Sequence, residues 1–288
     1  GIIVEAGKTT TISGVTNKGN ILNGRYAGGV LGWAGVDVTF ADCTNLANVK
    51  GRASAGGIVG YVASGGVLEN LTGYVTVTGN DTLGGIVGNA ENQASDVINC
   101  VNYGNVTGTS YIIGGIAGSG GHNLTNCFNF GNVTSTANDC VGGIAGSTKN
   151  TGKIENCYNY GNIQARGKAA GITGQSNKPI EGCVNYGNVN GTWALGGVIG
   201  YIAPDAIASA TNCVNNGNIT ASSTGIGGIL GIYYEAATGT GTVTITGCVN
   251  NGKVKGTWGI GGIAGDTLGE ITGCVNNGEI SASGDLGG

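Results

Sequence analysis

Hydrophobic positions in this chain come in short runs. Val, Ile, Leu or Ala stands singly or in pairs, closed off by Gly, Asn, Thr or Ser, almost throughout. The pattern predicts many short strands joined by tight turns, since β-branched residues favour strands and Gly and Asn favour turns. It leaves no room for a long helix, and no run reaches the roughly 18 apolar residues that a membrane-crossing helix needs.

The pattern also repeats. CVNNGNITASSTGIGGILG at 213–231 has counterparts in CVNYGNVNGTWALGGVIG at 183–200 and CVNNGKVKGTWGIGGIAG at 248–265. Its first residue recurs as Cys43, Cys100, Cys127, Cys157, Cys183, Cys213, Cys248 and Cys274. Val15 and Leu71 hold the same place in two further copies, making ten at spacings of 26 to 35 residues. A Gly-Gly pair followed by Ile or Val keeps the same phase, as at Gly28-Gly29-Val30 and Gly114-Gly115-Ile116, with Ala170-Gly171-Ile172 departing from it.

A unit of this length holds three or so short strands and cannot bury a core alone. Stacking each unit on the next, about 4.8 Å away, pairs the strands in parallel and buries a continuous apolar column. Every position then becomes a ladder along the stack. Three ladders face inward: the Ile or Val after each Gly pair, the series from Ile21 through Val106 and Val133 to Ile280, and the Cys series. Because Val15 and Leu71 replace Cys, that site accepts any small apolar body. Asn forms two more ladders, one through Asn45, Asn102, Asn159 and Asn276, the other through Asn20, Asn105, Asn162 and Asn218. Stacked amides can hydrogen-bond to each other, and Asn tolerates left-handed backbone at corners.

Composition narrows the picture. Gly is 62 of 288 residues and Pro only 2, which excludes collagen. Hydrophobic residues are 40%, too many for a disordered linker. The net charge is −4 with no basic patch, which gives no support to a nucleic-acid partner. There is no Met and no signal peptide, as expected of a mature or excised piece of a longer protein.

With GGVLG, GGIVG, GGIAG and GGVIG as its core, and INCVNYGNVTG at 98–108 as its second half, the chain resembles the GLUG-motif repeats over nearly its whole length. Here Ile or Val stands in place of the motif's Leu. The resemblance implies a bacterial surface or secreted protein, an extracellular location and a modular, non-catalytic role. It carries over no catalytic residue.

Candidate chemistry is sparse. The single histidine, His122, lies in a Gly-rich connection and is expected on the surface. The cysteines are spread a full repeat apart, whereas zinc needs four ligands at one point, so no metal site is expected. No cofactor is implied, no calcium nonapeptide occurs, and the regular Thr-x-Thr rows of an ice-binding face are missing. Cys140 lies off the Cys ladder and is expected to point outward. Glu155 and Glu181 share a register in adjacent repeats and should stack about 5 Å apart, near the separation of a retaining glycosidase pair. They are weak catalytic candidates, because no cleft or further polar group accompanies them. Tyr74, Tyr103, Phe130, Tyr160 and Tyr186 hold one register in five successive repeats and form the ligand-binding candidate. Such rings can stack on sugars or peptides, or simply on each other.

Together these features specify an all-β fold. It is a single right-handed parallel β-helix, or β-solenoid, of about ten turns of 26–35 residues spanning 1–288. The expected function is a non-catalytic adhesive or spacer segment of a bacterial extracellular surface protein, with glycans or surfaces of a host or environment as partners. A polysaccharide lyase or hydrolase on the same scaffold is the enzymatic alternative. A self-assembling filament unit, associating end to end through an open strand edge, is the third.

Overall fold

The structure is a computed structural model. It describes residues 3–6, 10–35, 37–63, 65–90, 95–109, 111–136, 140–148, 152–204, 206–233 and 241–283. All regular structure among the described residues is strand. One repeat illustrates the rest. Ala117–Gly120 belongs to a first sheet, Asn123–Thr125 to a second and Phe128–Asn129 to a third; Val133–Ser135 and Cys140–Gly142 both belong to a fourth. The first three sheets each contain ten strands, every one paired to its counterpart in the next repeat; in the fourth, Val49–Gly56 pairs with both Val77–Gly79 and Thr82–Gly84, and from there it runs as two parallel stacks. Pairing is parallel throughout. The fold is thus a parallel β-solenoid of ten coils joined by nine steps.

In place of one apolar column, two run side by side. The first joins the residue after each Gly pair, such as Ile116 and Ile144, to the Cys ladder and to Leu124 and Ile154. The second, within the fourth sheet, joins Val106 and Val133 to Ile113 and Val141. The split arises because the fourth sheet contributes two stretches per coil, continuous in Ile21–Gly28 and Val49–Gly56 and two separate strands from Val77 on, whose inward residues meet each other. Most of these side chains are fully buried, and each contributes about 1.5–3 kcal/mol.

The Gly-Gly pair has a steric cause. A Cβ on Gly84 would stand 2.0 Å from the Val87 carbonyl oxygen, and one on Gly85 would stand 2.1 Å from the Gly115 carbonyl and 2.3 Å from Asn102 Cγ. The first glycine admits its own turn and the second admits the Asn ladder. Corners use a different device. Asn70, Asn99, Asn126, Asn156 and Asn212, each just before the Cys-ladder position, have φ of 50–54°. So these left-handed asparagines form a third series, distinct from the two expected from the pattern. Asn is the side chain that enters this region most easily after Gly.

Candidate ligand-binding face

The five aromatic residues come from the corner that follows each strand of the third sheet. In residues 101–103, Asn102 turns inward and is fully buried, so Val101 and Tyr103 must face out. Parallel pairing then copies that direction from coil to coil. Tyr74, Tyr103, Phe130, Tyr160 and Tyr186 form one unbroken row with adjacent centroids 4.8–5.0 Å apart and ring planes within 4–9° of parallel. They are 42–54% exposed. Crowding, first by desolvation and then by Tyr186, lifts the Tyr160 phenol above its ordinary pKa.

A second row, not singled out from the sequence, lies two residues before the first. Phe128 and Tyr158 stack at 5.1 Å and 6°, continued in register by Val101 and Val184. Counting back two from Phe130 and Tyr160 would have found it, because alternation puts both positions on one face. The main row itself continues differently beyond Tyr186. Asn251 donates to Asn216 at 2.8 Å and Asn277 to Asn251 at 2.9 Å. The third sheet thus presents an uncharged outer stripe, aromatic over five coils and amide-lined over the next three.

The carboxylates are arranged less favourably. Glu155 and Glu181 are register partners on the second sheet, as the spacing implies. Glu155 accepts a hydrogen bond from Lys153 Nζ, and Glu181 is exposed. Thr125 and Thr211 flank the pair in the same register. Pockets of about 220–280 Å³ lie elsewhere, one beside Tyr233 and Glu270, another beside Asn48 and Lys50, a third beside Lys253 and Glu279.

Two expectations are corrected. His122 is not on the surface but 1% exposed, and neither ring nitrogen has a hydrogen-bond partner among the described residues. Burial lowers its pKa to about 4. Period-two counting back from buried Leu124 places it inward. Cys140 is off the Cys ladder but buried, its Sγ 3.2 Å from Gln175 Oε1; a first-sheet residue covers the position that alternation leaves outside. The other eight cysteines are also free thiols. No helix of the described residues is long and apolar enough to cross a membrane.

Comparison with protein-family models, with curated proteins and with solved structures returns no match to this chain. The fold defines a class, the parallel β-solenoids, and the functional reading rests on the geometry above.

Proposed function

We propose that the chain is a non-catalytic adhesive or spacer segment of a bacterial extracellular surface protein, of the GLUG-motif kind that its repeat resembles. The observation that carries this reading is the exposed aromatic row. The rings cover one another's faces, so solvent meets their edges and the hydroxyls of Tyr74, Tyr103, Tyr160 and Tyr186. A comb of hydroxyls on a flat, uncharged stripe suits hydrogen bonding to a hydroxyl-rich polymer laid along the axis. The ladders beneath hold its spacing fixed without help from the ligand, so little ordering is needed on binding.

The test is a binding screen of the purified chain against acidic and neutral polysaccharides, with two triple variants beside it. Tyr103→Ser, Tyr160→Ser and Tyr186→Ser together remove rings and hydroxyls and should weaken binding roughly tenfold or more. The corresponding Phe triple keeps the stack, should leave Tm unchanged and should weaken binding almost as much. Lower Tm with unchanged binding in the Ser triple would reduce the row to self-packing. Polysaccharide turnover that vanishes in Glu155→Gln or Glu181→Gln would replace this reading with the lyase or hydrolase alternative.

A further inference from the structure

Seven consecutive coils place a thiol at one inward position: Cys100, Cys127, Cys157, Cys183, Cys213, Cys248 and Cys274. All are free, and all but the half-buried Cys274 are buried. Their surroundings repeat with the coil. The amides of Cys127, Cys157, Cys213 and Cys248 each donate to the sulfur one coil on at 3.4 Å. Each sulfur stands 3.2–3.7 Å from two carbonyl oxygens, one two residues back and one in the coil below. Repeated contacts mean repeated rotamers, so neighbouring sulfurs are one strand spacing apart, about 4.8 Å.

Apolar bulk alone does not account for the run. The inward ladder of the second sheet is equally buried, yet it drifts through Phe40, Leu68, Val97, Ile154 and Ala210. The thiol position admits Val15 and Leu71 near the start of the chain and then keeps sulfur without interruption.

Thiolate sulfur selects soft ions. A metal–sulfur bond is about 2.3 Å long in zinc thiolates. Two such bonds in line span about 4.6 Å, which matches the strand spacing to a few tenths of an ångström. A linear, two-coordinate ion therefore fits between adjacent sulfurs with the backbone unmoved. A tetrahedral ion does not, because no three Cys, His, Asp or Glu side chains converge among the described residues.

We infer that the cysteine column is a binding site for soft monovalent d10 cations, each held linearly between the sulfurs of adjacent coils. Each ion takes the place of one thiol proton, which leaves to solvent, and a lone pair of the next sulfur completes its coordination. RSH and M⁺ become RS–M and H⁺, so the lumen stays neutral, as an apolar interior demands. Seven thiols enclose six gaps, so six ions fill the column and one S–H remains. Burial pushes thiols such as Cys100 and Cys157 up in pKa; uptake competes with protons and weakens as pH falls.

The probe is silver nitrate in chloride-free buffer, added to the folded chain and, separately, during refolding. A Cys140→Ser background removes the off-column thiol, and native mass spectrometry counts bound ions. Cys183→Val leaves two runs of three thiols and so two gaps in each, four in place of six. Leu71→Cys joins Cys43 to the column and raises six gaps to eight. The signature is therefore a change of two ions per single substitution, downward in one variant and upward in the other. A change of one ion in each would show thiols acting independently and overturn the inference. So would absence of uptake under both protocols, or uptake of zinc with the same stoichiometry.

Discussion

Asn159 and Asn162 stand three residues apart in one coil, and each belongs to a ladder of its own kind, yet they are held by different physics. Asn159 is fully buried. Its Nδ2 donates to the Gly161 carbonyl at 2.8 Å and to Asn185 Oδ1 at 2.9 Å, while its Oδ1 accepts from Asn129 Nδ2 at 2.9 Å. One amide closes its own corner and ties two neighbouring coils. Asn162 is exposed, and its Oδ1 accepts only the backbone N–H of Asn188 at 3.0 Å. Water can replace that bond, whereas nothing can replace those of Asn159. The same residue type is obligatory inside and optional outside, because an unmade hydrogen bond is expensive only where solvent is absent.

The comparison breaks most visibly at the inner ladder. Asn159→Leu leaves the amide of Asn129, the Oδ1 of Asn185 and the carbonyl of Gly161 short of a partner, at about 1–3 kcal/mol each. A loss of about 3–5 kcal/mol is expected, read as a fall in the denaturation midpoint. Its absence would mean that water enters the column.

His122 sharpens the comparison next, as a titratable group taken inside. Its pKa is lowered from 6.5 to about 4 by burial. Between those values the unfolded chain binds the proton and the folded chain does not, so stability rises with pH across that window. It is complete above about pH 6.5, falls by about 3 kcal/mol as pH drops to about 4, and then levels off. Denaturation midpoints measured from pH 4 to 7 should show this slope in the parent chain and a flatter one in His122→Leu.

Asn162→Ala should cost no more than about 0.5 kcal/mol, since Asn188 N–H finds water instead. An effect as large as that of Asn159→Leu would erase the distinction between the ladders. Smallest of all, Glu155→Gln and Glu181→Gln should each move stability by less than about 0.5 kcal/mol, because exposed charges and surface ion pairs contribute little.

Much of this was legible in the sequence. Ten in-phase copies place Ile144, Val133 and the cysteines on inward ladders and Asn102 on a ladder of its own, because parallel stacking turns repeat phase directly into register. Tyr103 and its neighbours fell into one outward row for the same reason. What escaped depended on contacts between sheets, which repeat phase does not encode. Ile113 and Val106 belong to a separate column because in their coil the fourth sheet has two strands whose inward residues meet. Cys140 is covered by Gln175 from the next coil. His122 lies in Gly-rich surroundings that read as an exposed loop, and only the period-two count from buried Leu124 points it inward. Of the candidate site, the row is visible in the sequence, which leaves open whether its rings stack on a ligand or on each other; their tilt and spacing show that they cover one another.

The parallel pairing of coils also decides how such a molecule answers force. Bonds between coils run along the solenoid axis, so tension on its ends loads them one coil at a time. Each coil that peels away frees one repeat, 28 residues between Asn17 and Asn45 for example. That is roughly 90–100 Å of extended chain in place of about 4.8 Å of rod. A tether built this way lengthens about twentyfold for every unit it gives up, and so takes up a sudden pull in small instalments while the remaining coils keep their shape.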